Sequence, residues 1–127
     1  SSRSGSSTVQ AQSRVDDAVL NQLRALGGQA LLQRLVTLFF ESSKGYVAEI
    51  GQGIGDSDLE KVEKAAHTLK SGAGSLGARA VFNLAETIES AARNQEVHRL
   101  PTLFDELSVA YRETCTELTS ALEAGSS

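Results

Sequence analysis

The sequence predicts an all-α protein: an antiparallel, up-down four-helix bundle with a short additional helix at its N-terminal end. Three observations indicate this fold. The chain of 127 residues contains a single proline, and its long segments are rich in Leu, Ala, Glu and Arg, which favour helices. Apolar residues recur in these segments at alternating three- and four-residue spacing. The connections between them are short, which favours antiparallel neighbours.

The two ends of the chain differ in composition from the rest. Residues 1–13 are rich in Ser, and such a segment buries too little apolar surface to offset the entropy lost on ordering. We therefore expect a flexible linker or cloning remnant at residues 1–13, the helical bundle at residues 14–124 and a tail at residues 125–127. The missing initiator Met suggests a domain cut from a longer protein.

Charge and composition exclude several classes of function. The formal net charge of −4 argues against a broad footprint on nucleic acid. No apolar run approaches the roughly 18 residues of a membrane span. The single cysteine, Cys115, forms no internal disulfide and fits a reducing compartment. We expect a cytoplasmic monomer that contacts neither nucleic acid nor the membrane directly.

Caps and glycines delimit the first two helices. Asp16 or Asp17 caps a short first helix, which Gly27 and Gly28 terminate. A second helix is expected over about residues 29–50. Its bundle-facing positions are Leu32, Leu35, Phe39, Tyr46 and Ile50. The turn after it contains Gly51, Gly53 and Gly55.

The remaining three helices complete the bundle. Ser57 to Glu60 form a capping box in which Ser57 is the N-cap of the third helix. Gly77 ends that helix, whose buried stripe is Leu59, Val62, Ala66, Leu69, Ala73 and Leu76. A fourth helix is expected over about residues 78–93 and a last one over about 99–122. Pro101 is compatible with the last helix because it falls in the first turn.

The residues around His67 form the main candidate site. His67 follows Ala66 of the buried stripe, so we expect it at the edge of the core with one side of the ring in water. Lys64 and Lys70 lie three residues away, which places them beside the imidazole on a helix. The exposed strip continues through small residues, Ser71, Gly74 and Ala78. Such a strip would let a phosphoryl donor approach an imidazole nitrogen, which is a competent nucleophile.

The run from Ala65 to Ala78, AAHTLKSGAGSLGA, resembles the signature of histidine-containing phosphotransfer (HPt) domains of bacterial phosphorelays. The histidine, the lysine three residues later, the small residues and the closing Gly-Ala occur together. The resemblance implies that His67 is the phosphoacceptor through its outer ring nitrogen, that Lys70 assists by charge and that Gly74 keeps the docking surface open. Many members have Gly where this chain has Ser71, which is still small.

Helix geometry gives Glu89 a role beside the histidine. If the third and fourth helices turn near Gly77, His67 and Glu89 lie roughly 15 and 18 Å from that turn, nearly level. The resemblance implies a polar residue at this place that bonds the inner ring nitrogen. Such a bond would fix the tautomer and leave the outer nitrogen free. An exposed helix glutamate is the alternative.

The resemblance implies a carrier without autonomous kinase activity. It would accept a phosphoryl group from a receiver aspartate and transfer it to another receiver. The Ser-rich start and the missing Met suggest the C-terminal module of a hybrid sensor kinase, which could tether the domain to the inner membrane. No cofactor is expected on this chain, because Mg²⁺ and most catalytic groups would come from the partner receiver. A kinase-substrate domain of chemotaxis type and an interaction scaffold without phosphorylation are alternatives. A kinase dimerisation domain is disfavoured because Thr68, not an acidic residue, follows His67.

Overall fold

The computed structural model describes residues 15–126 and contains four long helices. We label them α1 (Asp17–Gly55), α2 (Leu59–Leu76), α3 (Arg79–Arg93) and α4 (Leu100–Ser126). One turn of 3₁₀ helix, Val97–Arg99, precedes α4. α2 packs against α1 and α3, and α4 packs against the same two helices, so α2 and α4 lie diagonally across the bundle. The predicted all-α bundle is confirmed.

The N-terminal part of α1 is bent away from the rest at Gly28. This residue has φ 74° and ψ −172°, which are not helical values, and glycine adopts them without steric cost. The additional helix expected at the N terminus corresponds to residues 17–27, and it joins the longer part of α1 without a loop. Asp16 caps it, since its carboxylate accepts a hydrogen bond from the backbone N–H of Ala18 at 3.0 Å.

The bend lays this short segment across one end of the bundle. The backbone N–H of Asp16 donates to the carbonyl of Gly77 at 2.7 Å. Arg24 Nη2 and Gln29 Nε2 donate to the backbone carbonyls of Ala121 and Leu122 at 3.0 and 2.9 Å. The segment therefore ties the α2–α3 turn to the C-terminal part of α4.

The end of α1 and the start of α2 differ from the sequence prediction. α1 continues to Gly55 instead of ending near Ile50, because its glycines serve helix packing: a Cβ on Gly53 would lie 2.6 Å from Val62 Cγ2. The N-cap of α2 is Asp58, whose carboxylate accepts from the Lys61 N–H at 3.1 Å. Ser57, the predicted cap, instead has φ 57° in the turn before it, so that prediction was wrong.

The core is a continuous set of apolar side chains from all four helices. Most predicted inward positions are buried, and the fully buried large side chains are Leu20, Leu32, Val36, Ile50, Val62, Leu69, Leu76, Val81, Ile88, Leu100, Leu107 and Leu118. Gly77 closes α2 in the left-handed conformation with φ 73°. A Cβ there would also lie 2.8 Å from Val19 Cβ. This turn therefore requires glycine both for its positive φ and for lack of space for a side chain. The α2–α3 turn thereby fixes the relative position of the two helices that carry the site.

The end of α4 is a further boundary that differs from the prediction. α4 runs to Ser126, beyond the predicted end at Leu122. The linker expected at residues 1–13 lies outside the described residues. No helix within residues 15–126 combines the length and the apolar character needed to cross a membrane.

Candidate phosphoacceptor site

His67 lies near the middle of α2 at the boundary between core and solvent. Ala65 and Ala66 before it and Leu69 after it are buried, while Thr68 is exposed. The His67 side chain is 62% exposed. The helical period therefore places the ring on the rim of the buried stripe, where an incoming molecule can reach it.

The imidazole is held from α3 by Glu89. His67 Nδ1 and Glu89 Oε2 are 2.9 Å apart, and the Glu89 side chain is only 7% exposed. The contact expected from the level positions of the two residues is thus present in the structure. Because a carboxylate only accepts hydrogen bonds, Nδ1 carries the proton and donates it. In the neutral ring this leaves the lone pair on Nε2, the nitrogen away from Glu89.

Two cations complete the surroundings of the Glu89 carboxylate. Lys70 Nζ lies 3.0 Å from Oε1, and Arg93 Nη2 lies 2.9 Å from Oε2. Burial raises the pKa of Glu89, but hydrogen bonds from Lys70 and His67 and the charge of Lys70 outweigh it and lower that pKa below its ordinary value of 4.5. Glu89 is therefore an ionised carboxylate at neutral pH, although it is buried.

Sequence reasoning missed the part played by Arg93 and Glu63. Arg93 bridges two carboxylates, since its Nε also lies 3.0 Å from Glu63 Oε2. Glu63 is one helical turn before His67 on α2, and Arg93 is one turn after Glu89 on α3. The four-residue spacings within each helix were visible in the sequence, but the bridge between the helices was not.

The described residues contain no preformed metal site. In residues 15–126, no group of three or more His, Cys, Asp or Glu side chains is arranged to hold a metal ion. What the arrangement does provide is an accessible imidazole nitrogen and a fixed tautomer. These are the properties of a nucleophile that meets its electrophile on another molecule.

Comparison with known proteins decides the family. A protein-family model described as Hpt domain matches residues 34–125. The chain belongs to the Hpt domain family. As a member of this family it is a histidine phosphotransfer carrier. The residues that surround the imidazole all lie inside the matched range.

A solved structure shares the fold of this Hpt domain. The histidine-containing phosphotransfer protein B (HptB) from Pseudomonas aeruginosa PAO1 superposes with a TM-score of 0.82 at 19% sequence identity, covering 89% of this chain and 97% of that one. At this identity the likeness concerns the fold alone. Among curated proteins, none matches the chain.

The strip of small residues beside the Hpt histidine is shorter than predicted. Ser71 and Gly74, one and two turns after His67, are exposed as expected. Ala78 is fully buried, so its prediction as a docking residue was wrong. The helical register does not reach it, because Gly77 ends α2 and Ala78 is already the N-cap of α3.

Gly74 has a second neighbour that bears on its role. A Cβ at this position would lie 3.3 Å from the Phe82 ring on α3, a close contact with a flexible side chain. The glycine thus eases packing against α3 as well as keeping the surface small. Lys64, also predicted to serve docking, is exposed and lies 3.6 Å from Glu60 Oε2, one turn earlier on the same helix.

Proposed function

We propose that this Hpt domain is a phosphorelay carrier: Nε2 of His67 accepts a phosphoryl group from an aspartyl phosphate of one receiver domain and passes it to an aspartate of another. The observation that carries the proposal is the asymmetry of the imidazole. Nδ1 is bound to Glu89 at 2.9 Å, whereas the His67 side chain as a whole is 62% exposed. Hydrogen bonding therefore directs nucleophilic reactivity to the open nitrogen.

The transfer step follows from this arrangement. The Nε2 lone pair forms the N–P bond, the P–O bond to the receiver aspartate breaks, and its electron pair stays on the released aspartate carboxylate. The ring retains the proton on Nδ1 and gains positive charge as the bond forms. Glu89 is ionised and in contact with Nδ1, so it stabilises that charge. In onward transfer the same steps run in reverse with the second receiver.

Lys70 supplies charge to the same site. Its side chain is 22% exposed, and its Nζ lies 3.0 Å from Glu89 Oε1. The ammonium is therefore held at the same carboxylate that contacts His67. We infer that this positive charge offsets the negative charge of the phosphoryl group. Ser71 and Gly74 present no bulky group on the next two turns, which favours close approach of a receiver, and Lys64 lies exposed at the other side of the histidine.

The proposal extends to the partners and the cellular setting. Receiver domains would supply Mg²⁺ and most of the groups that stabilise the transferring phosphoryl, so this chain requires no cofactor of its own. We place the domain in the cytoplasm as a monomeric C-terminal module of a hybrid sensor kinase. A chemotaxis-type domain phosphorylated directly by an ATP-bound kinase, and a scaffold that is never phosphorylated, are the alternatives.

Phosphotransfer from labelled receivers tests the proposal. The chain is mixed with receivers of the source genome, each charged with ³²P-phosphate on aspartate, and acid-labile label on the chain is followed with time. We expect rapid labelling of the parent, none of His67→Gln and full labelling of His98→Gln. The last variant is a matched control, because His98 is the second histidine of the chain and is exposed.

Three outcomes would contradict the relay assignment. Labelled His67→Gln would exclude His67 as the acceptor. Transfer from an ATP-bound histidine kinase, with no transfer from any receiver, would identify a kinase-substrate domain. Receiver binding without label under either condition would identify a scaffold.

A further inference from the structure

We infer that Arg93 is a positioning residue of the phosphoacceptor site: its guanidinium shares Oε2 of Glu89 with the imidazole of His67 and thereby limits how far Glu89 draws the ring into its protonated form. The consequence for phosphotransfer rests on the proposed function. The effect on the ring itself does not, and it is measurable on the isolated chain.

The geometry for this role is a series of hydrogen bonds that links four side chains, from His67 through Glu89 and Arg93 to Glu63. His67 and Glu63 stand one turn apart on α2, and Glu89 and Arg93 stand one turn apart on α3. Hydrogen bonds of 2.9 Å from His67 to Glu89 and 3.0 Å from Arg93 to Glu63 connect the helices. The bond of 2.9 Å from Arg93 to Glu89 runs along α3.

The shared oxygen is the central feature. His67 Nδ1 and Arg93 Nη2 each lie 2.9 Å from Glu89 Oε2, so they are at most about 5.8 Å apart. A guanidinium stays charged at any physiological pH. It therefore lowers the proton affinity of the neighbouring ring in two ways: it repels a second positive charge, and it takes part of the basicity of the oxygen that would stabilise an imidazolium.

This matters because Glu89 by itself would act in the opposite direction. An ionised, buried carboxylate against Nδ1 favours the protonated ring, and a protonated imidazole has no lone pair on Nε2 for attack on phosphorus. Lys70 balances the carboxylate at Oε1, and Arg93 balances it at Oε2. Glu89 is thereby able to fix the tautomer without protonating the nucleophile.

The other charged groups near the ring are few. On α2 they are Glu63, Lys64 and Lys70, of which Lys64 is paired with Glu60. On α3 they are Glu89 and Arg93. The pocket beside the ring is lined by residues of α2 and α3, namely Glu60, Glu63, Lys64, Thr68 and Glu89. Because Glu63 pairs with the same guanidinium, it reduces the effect of the Arg93 charge on Glu89.

An NMR titration of the His67 ring signals tests the inference through variants of opposite sign. Arg93→Gln removes the cation and leaves Glu63 without its partner, so the titration midpoint should move up by about 0.5 pH unit, the size expected for one charge near 6 Å in a largely aqueous environment. Glu63→Gln should move it down. Arg93→Lys keeps the charge and should restore the parent midpoint.

Arg112→Gln is the matched control. It makes the same change of charge on an exposed position of α4, the helix diagonal to α2, and it should leave the midpoint unchanged. A purely structural role for Arg93 would shift Arg93→Gln and Glu63→Gln in the same direction, or would make Arg93→Lys behave like Arg93→Gln. Either result, or an Arg93→Gln midpoint equal to that of Arg112→Gln, would overturn the inference.

Phosphotransfer gives the second measurement. On the acidic limb of the pH–rate profile, Arg93→Gln should accept phosphate about 3-fold more slowly than the parent, because half a pH unit changes the neutral fraction about 3-fold. At alkaline pH the two rates should converge. If the midpoints shift as expected but no receiver phosphorylates the chain, the proposed function fails while the role of Arg93 stands.

Discussion

Two helix interfaces of the bundle contain buried polar side chains, which are charged at one interface and neutral at the other. At the α2–α3 interface, Glu89 is ionised and holds three donors. At the α1–α4 interface, Ser43 Oγ and Tyr111 OH lie 2.7 Å apart, and Cys115 follows one turn after the tyrosine. Burial raises the pKa of both Tyr111 and Cys115 despite the hydrogen bonds that lower it. These groups remain neutral.

The difference shows what distinguishes a site from a structural polar contact. Burial by itself favours the neutral form of any acid, and the α1–α4 interface follows that rule. The pKa of Glu89 is lowered in spite of burial, because Lys70 and His67 both donate hydrogen bonds to the carboxylate. A buried charge that needs this many partners is costly to maintain, so its place beside an exposed imidazole points to function.

Removal of the Glu89 charge should have the largest effect on phosphoryl transfer. Glu89→Gln keeps the size of the side chain but loses the ionised acceptor for Nδ1. We expect phosphoryl transfer to His67 to slow by about 10- to 100-fold, the effect of removing a carboxylate that orients a metal-bound histidine. The measurement is the rate of labelling by a phosphorylated receiver. Glu86→Gln, an exposed glutamate on the same helix, should transfer at the parent rate, and an equally fast Glu89→Gln would disprove the role.

Acid unfolding measures how much the ionised Glu89 carboxylate contributes to stability. The folded-state pKa of Glu89 is lowered below 4.5, so its contribution to stability is present above about pH 4.5 and is lost as the pH falls through the lowered value. We expect Glu89→Gln to be less stable than the parent by about 1–3 kcal/mol at pH 7. In urea unfolding between pH 7 and pH 3, this gap should narrow on acidification. A constant gap would show that Glu89 is not an ionised partner in the folded protein.

The α1–α4 interface should respond in stability alone. Tyr111→Phe leaves the buried Ser43 hydroxyl without its partner, which should lower the free energy of unfolding by about 1 kcal/mol. Phosphotransfer to His67 should not change, because the pair lies on helices that contribute no group to the site. Chemical denaturation and receiver labelling of the same preparation measure both quantities. Slower transfer in this variant would mean that the two interfaces are coupled.

Thr114 offers the smallest effect, with the opposite sign. Its hydroxyl is buried on α4 and has no hydrogen-bond partner among the described residues. Thr114→Val removes the hydroxyl with little change in shape, so stability should rise by about 0.5–1 kcal/mol. Thr116→Val is the control, since Thr116 Oγ1 is exposed and donates to the Arg112 carbonyl at 3.1 Å. A loss of stability in Thr114→Val would contradict the unpartnered state of this hydroxyl.

Much of the fold and the histidine itself could be predicted from local sequence. Helical periodicity located the core positions, Asp16 and Gly77 marked helix ends, and the run around His67 indicated the family. The contact with Glu89 followed from counting residues on either side of one turn. These features depend on residues close together in the chain, or on a single short connection, and their physical basis is the constant rise of a helix.

The remaining features depend on how the helices meet. The sequence could not show that Arg93 reaches Glu63 on the neighbouring helix, that Ala78 turns into the core once Gly77 ends α2, or that Gly53 serves packing instead of a turn. Each is decided by the distance and rotation between two packed helices, which depend on side chains from several segments at once. Local sequence was enough to indicate His67 as the candidate nucleophile. The electrostatic environment of His67 depends on the packing of α2 against α3, because the charges around the imidazole come from both helices.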